Sequence, residues 1–137
     1  MKVYLDENLP PFVAQPLAVV YQDHTFATWQ DEGLKGTDDI PLLATLRERG
    51  FHAIVTRDRM QLKDPEERRA VADSGLRWIG VPDKRLKGLE QITITVSTLI
   101  AGMRFVFDHL PDGPTSYALK NVPHPENQRV NIRQITV

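Results

Sequence analysis

The chain has 137 residues, 41% hydrophobic and 26% charged, the size and balance of one globular domain able to bury its own core. It contains no cysteine, which excludes disulfides, thiolate zinc sites and cysteine nucleophiles and suits a reducing cytoplasm. Residues 1–40 carry two lysines against seven acids, whereas residues 41–137 carry 15 basic and 11 acidic side chains. The net charge of −1 therefore hides an acidic start and a basic remainder, which fits either an acidic site rimmed by cations or charges spread over a solvated surface. Met1 runs directly into a strand-like segment, so no secretory leader is expected. The uncharged runs at residues 8–22 and 91–103 both fall short of the roughly 20 apolar residues that span a bilayer. A soluble protein with no membrane contact is expected.

Residues 2–5 predict a buried strand that ends abruptly in Asp6-Glu7-Asn8. Asn8 is placed to cap a helix opening at Pro10-Pro11, and Pro16 breaks or kinks that helix. Residues 25–29 alternate as a short second strand, and Gly33 and Gly36 mark a loop. A clearer helix is predicted over residues 38–49, with Ile40, Leu43 and Leu46 at helical spacing, basic residues in its last turn and Gly50 at its end. Residues 52–56 read as a third strand, 65–73 as a short charged helix closed by Gly75, and 76–81 as a fourth strand. Residues 89–110 suit one long helix facing inward with Leu99, Met103 and Phe107, although the alternation over 92–96 also fits a strand. Residues 116–122 and 129–137 suggest a terminal β-hairpin. Strands alternating with helices predict a three-layer α/β/α domain with a mainly parallel central sheet. One domain over residues 1–137 is expected, with an α/β core over 1–112 and a hairpin extension over 113–137.

Ligands of open parallel sheets sit beyond the carboxyl ends of the strands. Asp6 follows the first strand, Asp58 follows the third, and Asp39 opens the helix that feeds the third. If the first and third strands are neighbours, three carboxylates meet at one edge. Crowded carboxylates repel, and a magnesium or manganese ion with its preference for hard oxygen ligands would relieve that repulsion. Each acid also has an ordinary structural use: Asp39 or Asp38 as a helix cap, Asp6 as a cap beside Asn8, Asp58 at the start of a turn. Arg57, Arg59 and Lys63 follow the acidic edge and would suit either a phosphate backbone or an exposed loop. Trp29 and Trp78 fit core packing better than base stacking, and the four histidines lack zinc spacing.

At these residues the sequence resembles the PIN-like domains, the nuclease fold of VapC-type toxins and related RNA-processing enzymes. MKVYLDENLPP is similar to the start of the short PIN-like branch, and DDIPLLATLRERGFHAIVTRDR to the family's helix, strand and T-R-D/N block. The resemblance covers about the first 60 residues. It implies that Asp6, Asp39 and Asp58 are catalytic and metal-binding, with Glu7, Asp38 and Thr56 in support, Thr56 orienting its loop by hydrogen bonding. Larger PIN nucleases carry a further acid, usually glutamate, between the first two. Here that stretch is compressed, leaving Glu7, Asp31, Glu32 and Asp38 as candidates.

The resemblance thus implies a cytoplasmic endoribonuclease that uses Mg2+ or Mn2+, plausibly the toxin of a toxin–antitoxin pair, with RNA as substrate, an antitoxin protein as partner and often a homodimer. Two alternatives stay open. One is a degenerate PIN-like protein that binds RNA or a partner without cleaving. The other is a receiver-like phospho-signalling domain, which would need Lys84 of Val81-Pro82-Asp83-Lys84 beside the acidic edge.

Overall fold

A strand covered on both faces must be apolar at nearly every position, and the runs at residues 2–5, 53–56 and 77–80 meet that condition. In the computed structural model, which describes residues 1–82, 87–122 and 130–135, these runs form the centre of a five-stranded sheet. The strands β1 (Lys2–Leu5), β2 (Thr25–Thr28), β3 (Ala53–Thr56), β4 (Arg77–Gly80) and β5 (Ser116–Ala118) lie in the order β2-β1-β3-β4-β5. Every pairing is parallel, and Leu5 sits opposite Thr28 on one side and Val55 on the other.

Alternation along the strands builds the three layers. Val3, Leu5, Ala53, Val55 and Ile79 point to one face, where they pack with α1 (Ala14–Val20) and α6 (Leu89–Asp108) through Leu17, Leu99, Met103 and Val106. Tyr4, Ile54 and Trp78 point to the other, against α3 (Asp39–Glu48) and α5 (Pro65–Ser74) through Leu42, Leu43, Leu46 and Val71. Each fully buried leucine contributes about 1.5–3 kcal/mol, so both faces hold the sheet in place. The short helices α2 (Trp29–Glu32) and α4 (Met60–Lys63) complete the chain. Among the described residues no helix is long and apolar enough to cross a membrane.

Several local expectations are revised. Asn8 does not cap the first helix: a 3-10 turn at Pro11–Val13 leads into α1 with no side-chain cap, and Pro16 lies in the first turn of α1, where an N–H has no partner to lose. Trp29 leaves the second strand to open α2, which Thr28 and Asp31 close with a reciprocal capping box. In α3 the inward residue is Leu42, while Ile40 is exposed. Residues 89–108 form one helix, because Thr95, Thr98, Leu99, Met103 and Val106 are buried at helical spacing. Phe107 is part of an aromatic group with Tyr21, Phe26 and a stacked His24.

The expected hairpin is replaced by a different arrangement. Its first arm supplies β5, which joins the edge of the sheet parallel to β4. The described part of its second arm, residues 130–135, carries no strand, and its turn lies outside the described residues, as does Lys84.

Candidate functional site

The sheet changes direction between β1 and β3, since the chain passes outward from β1 to β2 and returns to the opposite side. That switch point opens a crevice at the carboxyl ends of the strands. Asp6 follows β1 directly and its backbone N–H donates to the Val55 carbonyl at 3.0 Å, which locks it beside β3. The Asp6 side chain is only 5% exposed.

Thr56 organises this end of β3. Its fully buried hydroxyl donates to Asp6 Oδ2 at 2.8 Å and accepts from the backbone N–H of Asp58 at 3.0 Å and from Asn8 Nδ2 at 3.0 Å. Asn8 in turn accepts from the Arg57 backbone N–H at 3.0 Å, so the two loops that follow β1 and β3 are laced together. Burial pushes the Asp6 carboxyl above the usual range; the Thr56 hydroxyl and the Glu7 N–H oppose this, while the charges of Asp39 and Glu7 add to it.

Asp39 stands at the first position of α3. The cap position belongs to Asp38, whose exposed side chain makes no capping bond. Asp39 therefore faces the crevice, where its Oδ1 accepts from Gln61 Nε2 at 3.0 Å. Burial raises its pKa, Gln61 pulls it back, and the neighbouring Asp58 raises it further. Asp58 precedes α4, where its Oδ1 accepts from the Met60 N–H at 3.0 Å, and its charge is among those that raise Asp39.

The structure adds an acid that sequence reasoning missed. Glu67, in the first turn of α5, is pushed above the usual range by burial, then by the charges of Asp39, Asp64 and Asp58. The helix is fixed there by Asp64, whose Oδ1 accepts from the N–H groups of Glu66 and Glu67, each at 3.0 Å. The signal in the sequence was Asp64-Pro65-Glu66-Glu67, a helix opening that leads with acids and begins six residues after Asp58.

Three of the earlier candidates for a further acid are occupied elsewhere, and the fourth, Asp38, is the exposed residue before α3. Glu7 accepts from the Gly36 N–H at 2.9 Å and ties down the loop before α3, Asp31 closes the capping box, and Glu32 lies 3.9 Å from both Lys2 and Arg49. Among the basic residues, the Arg57 guanidinium is not directed at the crevice: it donates to the Pro82 carbonyl at 3.1 Å and to Thr95 on α6 at 2.6 Å. Arg59 is half-buried with no partner for its Nε among the described residues, and Lys63 is exposed at the end of α4.

Asp39 thus lies within reach of the charges of Asp6, Asp58 and Glu67, and the Thr56 hydroxyl holds Asp6 in place. Among the described residues no three acidic or histidine side chains are already gathered as a metal cage. The donor chemistry nevertheless suits a hard divalent cation: all four groups are carboxylates, and Asp39 and Glu67 are raised first by burial and then by neighbouring carboxylates, a repulsion that such a cation relieves.

The model of the PIN-like domain family matches residues 1–82, which contain β1 to β4 and every acid of the crevice. The chain belongs to the PIN-like domain family. PIN-like domains have a nuclease-type fold, are commonly nucleases and generally use divalent metals. No curated protein and no solved structure matches the chain.

Proposed function

We propose that the protein is a metal-dependent endoribonuclease, that Asp6, Asp39 and Asp58 are its catalytic acids, and that Glu67 completes the set. The observation that supports this reading is the placement of Asp6 after β1, Asp39 at the head of α3, Asp58 after β3 and Glu67 in the first turn of α5, all toward the switch point of a PIN-like sheet. A bound magnesium or manganese ion would polarise the scissile phosphate and lower the pKa of an attacking water. Asp39, Asp58 and Glu67 would hold it, and Asp6 would stay ionised with the help of Thr56. Arg59 and Lys63 would draw in the phosphate backbone, while Arg57 braces the loop against α6.

The finer reading is the toxin of a toxin–antitoxin pair acting in the cytoplasm. Support comes from the exposed Leu89 and Ile92 at the start of α6, apolar side chains open to an antitoxin or a second copy of the chain. The strand order also suits a phospho-receiver, and stable labelling of Asp58 by acetyl phosphate would select that reading instead. The test of the nuclease reading is incubation of the purified chain with single-stranded RNA, with manganese, with magnesium and with EDTA. Cutting in the metal arms alone supports the proposal, and a failure to cut in any arm leaves the binding-only alternative.

A further inference from the structure

Beneath the carboxylates lies a polar contact that the proposed chemistry does not use directly. Gln61 is fully buried, which is rare for an uncharged amide unless both of its ends are satisfied. Its Oε1 accepts from the indole Nε1 of Trp78 at 3.0 Å, and its Nε2 donates to Asp39 Oδ1 at 3.0 Å. An indole N–H can only donate, so it dictates which end of the amide it meets. With the oxygen held by Trp78, the NH2 group must turn to Asp39. Trp78 is itself fixed: it lies on β4 in the core between sheet and helices, and Gly80, two residues along the same face, leaves the room that its ring fills. A Cβ at Gly80 would run into the ring.

We infer that Trp78 and Gln61 form a positioning relay that holds the Asp39 carboxylate in one orientation at the centre of the acidic site. The relay rests on the metal-dependent reading of that site. Outer partners of metal-binding carboxylates act in this way, and their removal weakens metal binding on the order of 10–100-fold. The Gln61 side chain donates to no carboxylate but that of Asp39, its backbone N–H meets only the Asp58 carbonyl, and the Trp78 indole donates to Gln61, so the effect of exchanging these side chains passes through Asp39.

The test uses the full chain with manganese alone as the probe, and nuclear magnetic resonance of the indole N–H groups as a second readout. Gln61→Met keeps the length of the side chain and removes both hydrogen bonds. Trp78→Phe keeps an aromatic ring in the core and removes only the group that orients the amide. Thermal melts confirm that each variant is folded at the temperature of the titration. Both variants should bind manganese more weakly on the order of 10–100-fold, and the double variant should be no weaker than Gln61→Met, because the two residues act in series. In the metal-free protein, the Trp78 indole resonance, distinguished from Trp29 by Trp29→Phe, should move in Gln61→Met and also in Asp39→Asn. Wild-type affinity in both single variants, additive losses in the double variant, or an indole resonance unmoved by Asp39→Asn would each overturn the relay. If the wild-type chain takes up no manganese, the nuclease reading fails, and the indole resonance alone decides the relay.

Discussion

Replacing Thr56 by valine tests the hub that joins the two strand ends. Valine matches the shape of threonine, so the core around β3 stays filled and the change isolates the hydroxyl. Three hydrogen bonds disappear, to Asp6 Oδ2 and from the Asp58 N–H and Asn8 Nδ2. Asn8 is exposed and regains water at little cost. Asp6 is buried, and its Oδ2 keeps only a 3.5 Å contact from Asn8, so the lost bond to a charged group costs about 1.5–3 kcal/mol. The Asp58 N–H adds about 1 kcal/mol, for a total near 3 kcal/mol. A chain of this length should lose about 10 °C of melting temperature. The loss should also depend on pH. The hydroxyl favours the ionised form of Asp6, so its removal matters most at neutral pH and least where Asp6 is protonated in both states. Urea unfolding at neutral and acidic pH measures both effects, with Thr56→Ser as the control that keeps the hydroxyl and loses about 1 kcal/mol for the methyl group. A Thr56→Val protein within about 0.5 kcal/mol of wild type at neutral pH would refute the reasoning.

Three further outcomes are expected. Glu67→Gln should leave the metal-free protein about as stable as wild type, since the helix-dipole loss of about 0.3–1 kcal/mol is offset by relief from Asp39, yet it should lose most of the melting shift produced by manganese; an intact shift would remove Glu67 from the site. Asp6, Asp39 and Glu67 all have raised pKa values in the folded chain, so with EDTA present the stability they contribute is full below the ordinary carboxylate range and is lost as pH rises through the raised values. Denaturation midpoints should accordingly fall across that window, more steeply than in Asp39→Asn; equal slopes would contradict the assignment. Arg57→Met should destabilise the fold by about 1–3 kcal/mol through loss of Thr95 and the Pro82 carbonyl while leaving the salt dependence of RNA binding unchanged, whereas Lys63→Ala should reduce that salt slope by about one; the opposite pattern in filter-binding titrations would return Arg57 to the RNA surface.

The parts of the fold that were legible in the sequence depend on local pattern. Buried central strands must be apolar, so residues 2–5, 53–56 and 77–80 declared themselves, and Asp6, Thr56 and Asp58 were placed because polar residues follow those runs directly. Asp39 was legible as the opening of α3, although a cap role and a crevice role could be separated only once Asp38 was seen at the cap. What stayed hidden depends on contacts distant in sequence. Asn8 looked like a cap because its partner Thr56 lies 48 residues away. Glu67 and Gln61 are ordinary helix residues until α4 and α5 are folded across the carboxyl ends of the strands. The alternation of residues 116–122 announces a strand but not its partner, so the expected antiparallel hairpin gives way to β5 lying parallel to β4.

The most direct measurement is manganese-dependent RNA cleavage by the full chain and its Asp39→Asn variant, paired with thermal melts of both. Asp39 lies inside α3 and not at its cap, so the variant keeps the fold while it exchanges a carboxylate for a much weaker neutral ligand. The account predicts that wild type cuts RNA only with the metal and gains melting temperature from it, and that Asp39→Asn, folded as before, does neither. Undiminished cleavage and an undiminished manganese shift in Asp39→Asn would contradict it.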